Sequence, residues 1–452
     1  MDFLKNIALP ASAEHYHVLV FLAAFCAIIF MLYTGVVLGT SLVSSWLERK
    51  ARKEREPELA SSALDLIQIP LYSKSVVLFF GILPGFSLVA AYAQLFKSTA
   101  TPAVEYIGFG FLCSTLGLGL LYAYRYTLRL QNILESYQTL VQKKKSADQN
   151  AAALVSFSTV NRTGHQRMGR YGIAFLVLGI FLYSAALFFA GDPARWQQDL
   201  SGFDILVSGG VWLKFISALI LSAGLTGFWI LALAFFNERS RPYQTPALLR
   251  SCGTRLSIFS LVLFPPVLLA NIANVSDMAL SGAVFFLAGS AFAVYFLAAH
   301  FLYGFQQTGR PQAVVYGLGL FVLASGILIG SDYTGVGTAT RMQSTQLSVE
   351  NQKELDALNA SLGVVTVKFT GEDIYNGRCS ACHLFDQKKI GPPYLETIPK
   401  YKNDKAALVS FILNPVKKNP AYPPMPNQGL KPAEADSVAN YVLRMVAQHS
   451  IR

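Results

Sequence analysis

The sequence predicts an all-α protein: a bundle of eight membrane-spanning helices followed by a small helical domain. Three observations carry that reading. The 452 residues are 53% hydrophobic and only 14% charged, a balance that favours a multi-span membrane protein over a soluble enzyme. Eight apolar segments are long enough, or nearly so, to cross a hydrocarbon layer ~30 Å thick as helices. After about residue 365 the composition turns polar and lysine-rich, and the chain reads Cys379-Ser380-Ala381-Cys382-His383.

The segments run approximately Val18–Val43, Val76–Leu95, Val104–Tyr126, Tyr171–Ala190, Ile216–Phe236, Ile258–Ala273, Ala279–Phe301 and Ala313–Ile329. The sixth is the shortest, and Pro265-Pro266 is expected to interrupt it. Loop charge sets the orientation. Segments 47–75, 125–170, 237–255 and 302–312 hold 19 Lys and Arg, among them Arg49, Lys50, Arg52, Lys53, Arg55 and Lys143-Lys144-Lys145. The N-terminal tail and the alternate loops hold four: Lys5, Lys97, Arg195 and Lys214. The positive-inside rule places the first set in the cytoplasm. Eight crossings then leave both termini outside. No cleavable signal is evident, because the first apolar run is too long for a signal-peptide core. Cys26, Cys113 and Cys252 read as packing residues without a disulfide.

An internal repeat of four plus four helices is also expected. Trp46-Leu47-Glu48-Arg49 ends the first segment and Phe236-Asn237-Glu238-Arg239 the fifth. Pro84 in the second matches Pro265-Pro266 in the sixth, and Tyr171-Gly172-Ile173-Ala174 matches Tyr316-Gly317-Leu318-Gly319. Two such bundles would be related by an axis along the membrane normal. Loop 127–164 breaks the likeness by its length. The division expected is a membrane domain over 1–330, a linker over 331–365 and a small helical domain over 366–452. Leu355, Leu358 and Leu362, at helical spacing, suggest a helix in the linker over Ser348–Leu362.

The motif at 379–383 points to covalently attached haem. Two thiols three positions apart can each form a thioether to one porphyrin vinyl group, and the next histidine then reaches the iron. A zinc half-site would need a second Cys or His pair, but the only later histidine is His449. A thiol redox pair has no use for the adjoining histidine. Haem attachment outside the cytoplasm agrees with the loop charges.

Gly391-Pro392-Pro393 and Tyr422-Pro423-Pro424-Met425-Pro426 follow the motif. With these segments the region resembles a class I cytochrome c. The resemblance implies that the Pro392 carbonyl accepts the Nδ1 proton of His383 and that Met425 is the distal iron ligand. Met445 lies among Val438, Tyr441, Val442 and Val446 at core spacing, so it reads as packing. His/Met ligation raises the potential relative to bis-His and fills both axial positions, which suits electron transfer.

The membrane half offers few ligands of its own. His165 and His300 are both expected near the cytoplasmic face, His165 in a Gly- and Arg-rich loop as a surface or interfacial group. His15 and His17 sit at the outer end of the first segment. The topology and the first three segments are similar to the large subunit of cytochrome bd quinol oxidases. That resemblance implies a non-covalent haem on His17, or on His15. The chain departs from the family in lacking its Gly-Arg-Gln-Pro-Trp stretch and a glutamate inside the third segment. With segment interiors almost bare of ionisable groups, a scaffold without haem is expected instead.

The net charge of +11 reflects topology and attraction to anionic lipid, not nucleic acid. Lys388, Lys389, Lys400, Lys402, Lys405, Lys417 and Lys418 make the haem domain basic, which would steer an acidic periplasmic redox protein. The expected function is electron transport by a monohaem cytochrome on the periplasmic side of a bacterial inner membrane, as a subunit of a respiratory complex. The rival is a quinol oxidase or oxygen reductase with the cytochrome fused to it.

Overall fold

The computed structural model describes residues 13–54, 56–97, 99, 101–143, 149–196, 204–240, 247–362 and 369–449. Lys5, Lys144 and Lys145, and the side chains of His15 and of residues 236–239, lie outside what is described. Val20–Ala339 form one compact unit, and the described residues before Val20 fall with the chain from Thr340 in a second.

Among the described residues eight helices are long and apolar enough to cross a membrane, and the protein is a multi-pass membrane protein. They are α1 (Ala13–Glu54), α3 (Lys74–Leu95), α4 (Ala103–Lys143), α5 (Gln149–Ala190), α6 (Gly209–Ser240), α7 (Ala247–Ala273), α8 (Gly282–Thr308) and α9 (Pro311–Ala339). The short α2 (Pro57–Gln68) follows α1. It buries Leu59, Ala63 and Leu66 against Leu47, Ala51 and Leu249, so the expected loop 47–75 contains a packed helix.

Several helices outrun their apolar segments. The expected loop 127–164 is mostly the continuation of α4 and α5. A polar ladder holds these ends together. Gln131 Nε2 donates to Ser158 Oγ (3.1 Å), and Asn161 Nδ2 donates to the Thr127 carbonyl (3.0 Å) and to Gln131 Oε1 (2.9 Å). Hydropathy marks where helices meet lipid, while side-chain amides extend them further. Nor do Pro265-Pro266 interrupt the sixth segment: α7 is continuous through them. In membrane helices, neighbouring side chains re-satisfy backbone groups near a proline. Tyr295 Oη on α8 donates to the Ser260 carbonyl at 2.9 Å, just before those the prolines free.

Two cores form. One gathers Val37, Leu121, Tyr124 and Leu176 from α1, α4 and α5. The other gathers Phe228, Phe264, Tyr295 and Phe321 from α6 to α9. Between them α1 approaches α6 closely: Ser222 Oγ donates to the Gly35 carbonyl at 2.7 Å, and a Cβ on Gly39 would strike the Thr226 side chain. Small residues at such crossings let membrane helices approach backbone to backbone. Cys26, Cys113 and Cys252 carry no disulfide, and Cys252 lies within α7, not in a loop.

The stretch expected as a linker divides differently. Residues 331–339 complete α9, and α10 (Arg341–Ser361) packs on the C-terminal domain. Leu355, Leu358 and Leu362 are exposed, whereas Thr345 and Ser348 are buried. Helical spacing found the helix, which starts seven residues earlier than expected. The domain itself comprises α11 (371–379), α12 (Lys405–Leu413) and α13 (Pro432–His449) around Ile374, Tyr401, Leu408, Val438 and Val442. Met445 packs against that core.

Candidate functional site

Helix α11 starts from a capping box. The Asp373 N–H donates to Thr370 Oγ1 (3.2 Å), and the Thr370 N–H donates to the Asp373 carboxylate (2.9 Å). Those bonds satisfy donors that a helix start leaves open. The Thr370 hydroxyl, which donates to the same carboxylate at 2.6 Å, and then the Thr370 N–H hold the Asp373 carboxyl below its ordinary range. One turn is enough to bring Gly371 against α13, where a Cβ would collide with the Ser437 carbonyl. The α11–α13 crossing therefore needs glycine at that point.

A wide turn over Tyr375–Cys379 ends α11 and buries Cys379. The next turn is closed by the His383 N–H on the Cys379 carbonyl at 2.9 Å. The chain then loops back, and the Gly391 N–H donates to the Cys382 carbonyl at 2.8 Å. This return places the Pro392 carbonyl 2.9 Å from His383 Nδ1. A carbonyl only accepts, so Nδ1 carries the proton and Nε2 keeps its lone pair for a metal. The Tyr394 ring stacks on the imidazole, with centroids 4.9 Å apart and planes 17° from parallel. A Cβ at Gly391 would collide with the imidazole, so the backbone passes as close to the ring as glycine permits.

Cys379, His383, Pro392 and Met425 line one cavity of ≈ 510 Å³. Its apolar walls include Leu408, Ile412, Val438 and Val442. Cys382 is half-buried beside it and is not among the lining residues. Met425 is half-buried in the loop after α12. Arg378 Nη1 donates to the Gln428 carbonyl (2.6 Å), tying that loop back to α11. Two thiols, an imidazole with its outer nitrogen free and a thioether on an apolar cavity fit a covalently bound haem. Tyr394, Tyr375 and Arg378 support this arrangement without any sequence signal of their own. Tyr375, for example, donates from Oη to the His383 carbonyl at 3.2 Å. Burial holds the Tyr394 hydroxyl far above its ordinary range, so it stays neutral.

Positive charge gathers at the same place. Lys400, Lys417 and Lys418 line the cavity, together with Glu396. Lys418 Nζ donates to Tyr401 Oη at 2.9 Å, and Lys388 stands 4.9 Å from the centre of the Tyr422 ring.

In the membrane unit the structure separates the candidate histidines. His17 and His300 are exposed. His165 is not a loop or interfacial residue, because it lies fully buried inside α5 with Nε2 2.9 Å from Glu48 Oε1. Tyr124 Oη donates to Glu48 Oε2 (3.2 Å), and Arg52 Nη2 lies 3.4 Å from Glu48 Oε1. A carboxylate 117 positions away therefore holds this imidazole.

The cytochrome c family model matches residues 370–445. Over 91 residues the chain is 33% identical to cytochrome c-552 of Hydrogenobacter thermophilus, covering 92% of that protein and 19% of this chain. It is 33% identical over 79 residues to cytochrome c-551 of Azotobacter vinelandii, covering 95% of that protein and 16% of this chain. For cytochrome c-551 of Pseudomonas denitrificans the identity is 30% over 80 residues, or 98% of that protein and 17% of this chain. Each relative matches at nearly full length, and the chain carries eight apolar, membrane-length helices ahead of the matched domain. The chain belongs to the cytochrome c family, as a haem-binding electron-transfer domain joined to a multi-pass membrane domain.

Proposed function

We propose that this protein is a membrane-anchored monohaem cytochrome c. It carries single electrons on the periplasmic side of a bacterial inner membrane as a subunit of a respiratory complex. The observation that carries the reading is the bond from His383 Nδ1 to the Pro392 carbonyl, at the wall of a cavity that Cys379 and Met425 also line. Cys379 and Cys382 form the thioethers, His383 and Met425 hold the iron, and Pro392 keeps the imidazole in its metal-binding tautomer. The bound haem supplies an iron that alternates between ferric and ferrous. With His383 and Met425 both holding the iron, the haem would supply one-electron transfer and would leave no open position for a substrate. The excess of Lys and Arg in alternate loops supports the periplasmic placement.

A haem inventory of the purified protein tests this: pyridine haemochrome spectra before and after acid-acetone extraction. One haem per chain, resistant to extraction, is expected. Stoichiometric extractable haem would sink the proposal in favour of a haem enzyme in the membrane half, and His17→Ala would then be the next variant. For the ligands, Met425→His is expected to lower the midpoint potential, because bis-His ligation lies below His/Met. An unchanged potential would remove Met425 from the iron.

A further inference from the structure

Arg125 on α4 is a buried cation that no carboxylate balances among the described residues. Backbone holds its guanidinium instead: Nη1 donates to the Leu71 carbonyl (2.7 Å) and to the Tyr72 carbonyl (2.9 Å). The rings of Tyr122 and Tyr126 flank it, with centroids 5.8 and 5.1 Å from Cζ. The opposite edge, Nε–H and Nη2, makes no hydrogen bond among the described residues; Nε is enclosed, and Nη2 is not among the enclosed atoms. A buried charge is ordinarily paired. An arginine edge with two parallel N–H groups is the shape that grips a carboxylate or a phosphate.

Charge around it is of one sign. Residues 66–104 and 106–134 contain no Asp or Glu. Arg129, one turn further along the same face of α4, and Lys74, which opens α3, are both exposed. Each lies, like Arg125, within electrostatic reach of the Tyr126 hydroxyl. Of the acids at the limits of this stretch, Glu105 is at the far end of α4 and Glu135 accepts from Gln131 at 2.8 Å. Asp65 on α2 is left to offset at most one of the three charges. Glu48, which reaches α4 through Tyr124, is already held by His165 and Arg52. A net positive charge therefore remains.

Depth selects the ligand. Arg125 is the last residue but one of the apolar segment Val104–Tyr126, and Lys74 lies two residues before Val76, where another begins. Both stand at the edge of the hydrocarbon layer, the level of the lipid phosphates. Tyr72 and Tyr126 are exposed at the same level, and tyrosine rings settle among lipid headgroups. A zwitterionic lipid brings its own cation to this cluster and gains little, whereas an anionic lipid brings none. We propose that Arg125, Lys74 and Arg129 bind the phosphodiester of an anionic phospholipid such as phosphatidylglycerol. The phosphate oxygens accept from Arg125 Nη2 and from the two exposed cations. This is one stoichiometric site, distinct from the diffuse attraction of basic loops to anionic lipid. It stands on the membrane unit's own geometry and is independent of the haem-domain reading.

The test uses the full-length, haem-loaded protein in phosphatidylcholine nanodiscs doped with spin-labelled phosphatidylglycerol, the motionally restricted fraction being read by electron spin resonance. One saturable phosphatidylglycerol per chain is expected above the level that spin-labelled phosphatidylcholine sets. Lys74→Gln/Arg129→Gln, which leaves Arg125 and its carbonyl bonds in place, should weaken that binding about tenfold or more. Arg125→Gln should abolish the preference, with its thermal melt checking that the bundle still folds. Arg49→Gln/Lys53→Gln removes the same charge from exposed positions on α1 and should leave the binding unchanged. Excess inorganic phosphate should not displace the lipid. No preference for phosphatidylglycerol in the wild type, or unchanged affinity in Lys74→Gln/Arg129→Gln, would overturn the assignment. So would an equal loss in Arg49→Gln/Lys53→Gln, which would mean diffuse attraction, or displacement by inorganic phosphate, which would mean a site for the free anion. The haem inventory would be unaffected by any of these outcomes.

Discussion

His383 owes its metal-ready tautomer to backbone, not to another side chain, and Gly391 is what lets the backbone come so close. Any side chain at 391 meets the imidazole. Gly391→Ala should therefore destabilise the haem domain by about 1–3 kcal/mol, the usual cost of overpacking a tight site. It should also shift the midpoint potential, because the Pro392 bond is displaced with the ring. Denaturant unfolding and redox titration of the variant check both; wild-type values would show that the loop gives way without cost. A contrasting residue is Glu48, where the partner is a side chain 117 positions away. Glu48→Ala leaves the buried His165 Nε2 without its partner and should cost about 1–3 kcal/mol, as an unsatisfied buried hydrogen-bonding group does. It would appear as a lowered melting temperature in detergent, and an unchanged melt would show that the pair is dispensable. These two residues also mark what the sequence discloses. Covalent attachment forces Cys379, Cys382 and His383 into contiguous positions, and Pro392 and Met425 sit in proline-rich segments that a family resemblance can number. Glu48–His165 and Lys214–Asp332 have no such local constraint. Each pairs distant parts of the chain and lies beyond the apolar segments that hydropathy marks, so no local pattern announces either contact.

Helices carry the same lesson one level up. Hydropathy disclosed all eight membrane helices, because a lipid environment acts on each segment separately. It did not disclose the extensions of α4 and α5, which rest on amide ladders and not on apolar surface, nor the face that α10 buries. Continuity of α7 through Pro265-Pro266 was equally hidden, since a proline inside a membrane helix does not by its sequence alone say whether the helix breaks. Helix α11 shows local chemistry setting an element's start. Its capping box joins Thr370 and Asp373, and Thr370→Ala should cost the haem domain about 1 kcal/mol. The pH dependence follows from the sign of the shift. The Thr370 bonds hold Asp373 below its ordinary range in the folded state. Their stabilisation is thus fully present above the unfolded aspartate pKa and is lost as pH falls through the folded one. Acid unfolding followed by haem absorbance should show this loss below about pH 4, and Asp373→Asn should flatten that limb. An identical acid limb in the variant would assign it to other carboxylates.

Across the whole molecule, charge is distributed by task. The chain has 37 Lys and Arg against 26 Asp and Glu, and most of the excess in the membrane domain falls between alternate apolar segments, the pattern on which the proposed orientation rests. The haem domain is basic on separate grounds: Lys400, Lys417 and Lys418 stand at the cavity and Lys388 stands over Tyr422. Fixed positive charge at the site of electron entry or exit raises the encounter rate with an acidic partner, and salt reverses the gain. The screening length shortens from about 30 Å at 0.01 M to about 10 Å at 0.1 M, so charges around a cavity mouth act in concert only at the lower value. The second-order rate of electron transfer to an acidic redox protein should accordingly fall about tenfold or more over that range. Lys388→Glu/Lys417→Glu should lower the low-salt rate and leave the high-salt rate nearly unchanged. Neither lysine is a proposed iron ligand, so the haem spectrum should stay the same. Stopped-flow kinetics across ionic strength decide the matter: a salt-independent rate in the wild type would make these lysines an ordinary solvated face, and would move partner recognition to apolar contacts such as the exposed Val416 at the cavity.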